Sequence, residues 1–97
     1  MKYKVGDYVI TTDNCVDGLC FIKSRIVGKD YREKKYKVKD LWLYNVQHNE
    51  IEKNIPVYIS LTDEAIIDKV PKNFTPKQLK NRFPEYLIWK EQKWNTK

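Results

Sequence analysis

The sequence predicts a mainly β fold, a small five-stranded barrel followed by a C-terminal helical extension, and three observations carry that prediction. Residues 1–70 fall into short runs of β-branched and aromatic side chains, several with period-two alternation. Turn-forming residues separate these runs at short intervals. Beyond Pro71 both the period and the composition become helical.

The stretch "YKVGDYVIT" puts Tyr3, Val5 and Val9 on one parity, and Gly6-Asp7 supplies a permissive backbone for a bulge near the strand start. "LCFIKSRIVGKDY" is the second strand, with Phe21, Ile22, Ile26 and Val27 apolar and Gly28-Lys29-Asp30 marking a bend. "KKYKVKDLWLYNVQ" alternates around Tyr36 and Val38 and then around Leu41 and Leu43, or Trp42, as one long bent strand or as two. Residues 47–50 have turn composition, and "EIEKNIPVYIS" forms a fourth strand that Pro56 assigns to an edge or a bulge. "LTDEAIIDKV", with Thr62 or Ser60 as a cap, suits a helix, but its Ile and Val content favours a short turn over Leu61–Glu64 and a closing strand over Ala65–Val70. In the extension, residues 71–97, Thr75 is an N-cap, Pro76 suits the first helical position and Gln78 completes a T-x-x-Q capping box. Leu79 and Phe83 lie four apart on this helix. Pro84 ends it and starts a second, whose broad apolar side holds Tyr86, Leu87, Trp89, Lys90 and Trp94.

Over residues 3–70 these stretches resemble the SH3-like barrel superfold, including its Tudor-like and KOW-like members. The residues that carry the resemblance are the "YKVGDYVIT" opening, "FIKSRIVG", "YKV" and "SLTDEAIIDKV". Those families often open on a K-x-G-D-x-V strand and place a short turn before the last strand. The central strands here are longer than is usual among them, few glycines mark the turns, and the tail from Pro71 has no counterpart. A superfold of this kind hosts many unrelated functions, so the function has to be read from the residues themselves.

A chain of 97 residues, 41% hydrophobic and 13% aromatic, can bury one core and has no room for a separate catalytic domain. The mean hydropathy of -0.72 and the lack of an apolar run near 18 residues argue against a membrane span. "MKYKVGDYVI" has charges where a signal peptide is apolar, which predicts a cytoplasmic protein with Cys15 and Cys20 reduced. Abundant Lys, Asn, Ile and Tyr beside three Gly is the composition expected of a low-GC bacterial or phage genome.

The net charge of +6 is unevenly distributed. Residues 1–70 hold 12 basic and 11 acidic side chains, whereas residues 71–97 hold 7 basic against Glu85 and Glu91. Within the first part, Lys23 to Lys39 has 8 basic and 2 acidic residues, and Asp40 to Val70 has 2 basic and 6 acidic. Such segregation steers partners through the summed field.

Catalytic and metal chemistry find little support. In "TTDNCVDGLC", Asp13, Cys15, Asp17 and Gly18 fall at EF-hand spacings, but a thiol replaces an oxygen ligand and the twelfth position is Ser24 instead of a bidentate Glu. Two Cys and one His cannot close a four-ligand zinc site. The stretch reads as the loop between strands one and two, with Asp17-Gly18 at its turn. His48 reads as a solvated turn residue, and no G-x-S-x-G, H-E-x-x-H or P-loop pattern occurs. Neither a catalytic residue, a metal ligand nor a cofactor is therefore expected.

Binding is better supported. Lys23, Arg25, Lys29, Arg32, Lys34, Lys35, Lys37 and Lys39 interleave with Tyr31 and Tyr36, and basic groups with aromatics on a sheet suit phosphates and stacked bases. The ordinary alternative is a solvated hairpin whose lysines protect exposed strand edges. In the tail, Lys77, Lys80, Arg82, Trp89 and Lys90 offer further cationic and aromatic contacts, while its apolar residues complete the barrel core or form a projecting arm. The expectation is a non-catalytic nucleic-acid-associated module, monomeric or homodimeric. The alternative is a small phage-encoded adaptor or inhibitor that engages a host protein through its basic and aromatic surface.

Overall fold

The computed structural model describes residues 1–15, 18–53, 58–82 and 84–86, with backbone alone for Asn14 and Cys15. The strands are β1 (Tyr8–Cys15), β2 (Gly18–Asp30), β3 (Lys35–Asn45), β4 (Glu50–Lys53), β5 (Tyr58–Leu61) and β6 (Ile66–Val70). A 3-10 turn, Asp63–Ala65, joins β5 to β6, and helix α1 spans Pro76–Asn81. All pairings are antiparallel, in the order β4-β3-β2-β1-β6, with β5 also paired to β3.

This mainly β architecture agrees with the sequence, but with six strands in place of five. The predicted fourth strand is two: β4 pairs with Trp42–Asn45 and β5 with Tyr36–Lys39, so each occupies one half of the same edge of β3. The predicted bend at Gly28 is instead a bulge within a continuous strand, where the register shifts between Ile26 and Gly28. The "TTDNCVDGLC" stretch is mostly strand, since Thr11 to Cys15 pair with Ile22 to Gly18. Its predicted turn residue Asp17 lies outside the described residues, and Gly18 has φ +103, a left-handed backbone that glycine adopts without Cβ strain.

A second bulge determines how the core is built. Ser24 faces Asp40 and Lys23 faces Trp42, so Leu41 is an extra residue in β3. Adjacent residues of β2 point to opposite sides of the sheet, hence Asp40 and Trp42 do as well. The first half of β3 therefore sends Tyr36 and Val38 to one side, where they pack with Val9, Ile26 and Ile66. The second half sends Trp42 and Tyr44 to the other, where they pack with Ile10, Phe21, Val70, Phe74, Leu79 and Tyr86. A register shift between Ile10 and Thr11 does the same where β1 meets β6, placing Ile66 in the first cluster and Asp68 on the helix side.

The C-terminal segment forms as its capping signals predict. The Thr75 hydroxyl accepts from the Gln78 amide, the Gln78 side chain accepts from the Thr75 amide, and Pro76 opens α1. The helix stops at Asn81, and residues 84–86 form a further helical turn. Phe74, Leu79 and Tyr86 are all buried against the outer side of the sheet. At about 1.5–3 kcal/mol for each such side chain, their burial is comparable to the entire net stability of a small domain. Phe74, Leu79 and Tyr86 are thus an integral wall of the core. Phe83, Leu87, Trp89, Lys90 and Trp94, also expected in this segment, lie outside the described residues.

Candidate functional site

Alternation along β3 turns Lys35, Lys37 and Lys39 away from buried Tyr36, Val38 and Asp40, and all three lysines are exposed. Register then sets their neighbours. Arg25 lies opposite Lys39 on β2, while Tyr58 and Ser60 lie opposite Lys39 and Lys37 on β5. Arg25 follows Phe21 and Lys23 on the same side of β2, so this cationic face continues the side of the sheet that α1 covers. Among the described residues, neither Arg25, Lys37 nor Lys39 has a carboxylate within ion-pair distance.

The hairpin joining β2 to β3 closes one end of this face. Asp30 Oδ1 accepts the amides of Arg32 (3.0 Å) and Glu33 (3.2 Å), which holds the turn, and Lys34 completes it at φ 56. Tyr31, Arg32 and Lys34 are exposed at its tip. Two exposed tyrosine rings each have a lysine ammonium over them: Lys29 lies 5.7 Å from the centroid of Tyr31 and also 5.9 Å from that of buried Tyr36, and Lys37 lies 5.4 Å from that of Tyr58. Both rings are largely in solvent, at 73% and 56% exposure. Lys35 is partly offset by Glu33 at 3.7 Å. A cavity of about 270 Å³ opens between the hairpin and β5, bordered by Gly28, Lys29, Asp30, Glu33, Lys35, Tyr36, Lys37 and Ser60.

Two residues named with this cluster on sequence grounds belong to the interior instead. Lys23 is 4% exposed, and its ammonium donates to the carbonyls of Lys72 (2.6 Å) and Phe74 (3.0 Å) and sits 5.1 Å over the Tyr8 ring. Burial pushes its pKa down, and its donors are committed to backbone of the C-terminal segment. Tyr36 is fully buried. Its hydroxyl donates to Asp63 and accepts from the Tyr3 amide, and burial together with the Asp63 carboxylate pushes its pKa up.

The tail residues divide in the same way. Lys77 and Lys80 are exposed on α1, with Lys80 5.2 Å over the Tyr44 ring. Arg82 is engaged at the sheet. It pairs with Asp68 at 2.7 Å and lies 5.0 Å over the Phe74 ring. Tyr86 donates to the same carboxylate at 3.0 Å, and burial pushes its hydroxyl up to about 12. Trp89 and Lys90 lie outside the described residues.

Of the sequence set, Arg25, Lys35, Lys37 and Lys39 share one face, to which the structure adds Tyr58, while Tyr31, Arg32 and Lys34 lie at the hairpin tip and Lys29, opposite Tyr36, lies on the other side of the sheet. The odd-numbered row Lys35, Lys37, Lys39 was visible as strand alternation. Tyr58 was harder to assign because its register against Lys39 depends on how the chain leaves β4. Among the described residues no helix is long and apolar enough to cross a membrane. No protein-family model, no curated protein and no solved structure matches this chain.

Proposed function

We propose that this chain is a non-catalytic, cytoplasmic SH3-like barrel that binds nucleic acid through the outward face of β2, β3 and β5. The strand path β6-β1-β2-β3-β5, with a 3-10 turn before the final strand, supports the barrel assignment. The observation that carries the functional reading is the juxtaposition of Arg25, Lys35, Lys37 and Lys39 with exposed Tyr58 on one side of the sheet. Ammonium and guanidinium groups at strand spacing, largely unneutralised by neighbouring carboxylates, suit a polyphosphate backbone. Lys77 and Lys80 on α1 add cationic charge on the same side of the sheet.

Fluorescence anisotropy with labelled nucleic acid at low and near-physiological salt tests this reading. Saturable binding that weakens linearly on a log-log salt plot is the expected result. Binding that disappears at physiological salt for every probe overturns it. In that event, a stoichiometric protein captured from nuclease-treated bacterial lysate would identify the chain as a host-protein adaptor.

A further inference from the structure

Resting on that nucleic-acid reading, we infer that the preferred ligand is single-stranded, with bases stacked on Tyr58 and Tyr31 while the flanking lysines hold the phosphates. Tyr58 lies opposite Lys39 beside the lysine row, and Tyr31 is at the hairpin tip, where Lys29 lies opposite Tyr36 on the other side of the sheet. Each exposed ring has an ammonium over it, Lys37 for Tyr58 and Lys29 for Tyr31, and each is otherwise largely open to solvent. Tyr58 lies where the cationic charge of β3 is concentrated, opposite Lys39 and under the Lys37 ammonium.

An aromatic ring beside a cation suits an unpaired nucleotide, whose base offers a flat π face and whose phosphate offers an anion. In a duplex the base faces are already stacked on one another, and the grooves present base edges instead. The contacts on this face therefore match a splayed strand better than a helix. The lysine row extends the match. Alternate residues of β3 are roughly 6.8 Å apart, so Lys35, Lys37 and Lys39 are spaced to follow successive phosphates of an extended strand. Tyr58, opposite Lys39 on β5, lies beside that row and not within it. Bases would stack to one side of the phosphate track.

The test uses three fluorescein-labelled probes of about twenty nucleotides: a mixed-sequence DNA strand, its RNA equivalent, and the DNA strand annealed to its complement. Anisotropy is measured at near-physiological salt with the full chain. The unpaired strands are expected to bind about tenfold or more tightly than the duplex, and Tyr58→Ala to weaken single-strand binding about tenfold while Tyr58→Phe retains it. Tyr58 is exposed, so both variants should keep the wild-type circular dichroism spectrum. Lys37→Glu is expected to weaken all three probes. Duplex binding as tight as single-strand binding, or wild-type affinity in Tyr58→Ala, overturns the single-strand inference and leaves the nucleic-acid reading standing. Failure of all three probes to saturate overturns both.

Discussion

The Tyr36 hydroxyl donates to the Asp63 carboxylate, and through this contact the interior of β3 is tied to the 3-10 turn before β6. The same hydroxyl accepts the Tyr3 amide at 2.9 Å, and Asp63 accepts the Lys2 amide at 3.3 Å. Three chain segments therefore meet at one phenol, and the Tyr3 ring packs edge-on against it with centroids 5.8 Å apart.

Tyr36→Phe keeps the ring and removes this junction. A loss of about 1–2 kcal/mol is expected, because the part-buried Tyr3 amide is left without its acceptor and Asp63 without its donor. Urea denaturation monitored by tryptophan fluorescence measures it. The pH dependence has a definite sign. The Tyr36 hydrogen bond holds the Asp63 carboxyl below its ordinary range, so its stabilisation is fully present above the unfolded pKa and is lost as pH falls through the folded one. Wild-type protein should lose more stability than Tyr36→Phe on acidification through that window.

Asp40 should behave in the opposite way. It is buried, accepts from Ser24 at 2.7 Å, and burial raises its pKa despite that bond. A carboxyl raised by burial costs stability above its folded pKa, and the cost fades as pH falls through that value. Asp40→Asn removes the charge and keeps an acceptor for Ser24. It is expected to be neutral or stabilising by about 1 kcal/mol at pH 7, with the advantage vanishing in acid. Thermal melts of both proteins from pH 7 to pH 3 decide the point.

Lys23→Met retains most of the buried stem but leaves the Lys72 and Phe74 carbonyls without their donor. A cost of about 2 kcal/mol in urea denaturation is expected. Because this ammonium faces the C-terminal segment, the salt dependence of nucleic-acid binding should stay as in wild type.

Lys39→Glu tests the outward row. On the proposed nucleic-acid reading, this substitution should reduce the slope of log K against log salt by about one, with little change in the urea midpoint. A variant with the wild-type slope would take Lys39 out of the interface.

Leu79→Ala empties a fully buried position between α1 and the sheet. A loss of about 2–4 kcal/mol is expected. Unfolding should remain a single transition at a lower denaturant midpoint, since the helix and the strands share one apolar cluster.

Much of this architecture was legible from local chemistry. Thr75, Pro76 and Gln78 announce a helix start that depends only on neighbouring backbone, and the closing strand is bounded by a short turn and Pro71. What escaped was non-local. The even positions 36 to 44 of β3 are all buried, as for a strand with one inner face, yet they divide between two clusters because of Leu41. No propensity at Leu41 signals this bulge, which is fixed by pairing with β2. Lys23 was misplaced for the same reason: a lysine among lysines reads as surface until the carbonyls of residues 72 and 74 come to meet it. Charge on β3 was readable, and its concentration on one face followed from alternation once the strand was set.

The extra residue at Leu41 makes β3 a crankshaft, with one continuous backbone driving two packings on opposite sides. Neither packing can loosen without disturbing the ladder that carries the other. Amide protons from Tyr36 to Tyr44 should therefore exchange with solvent through a single shared opening, and a partner gripping the outward lysines would slow that exchange as far away as the wall formed by Phe74 and Leu79.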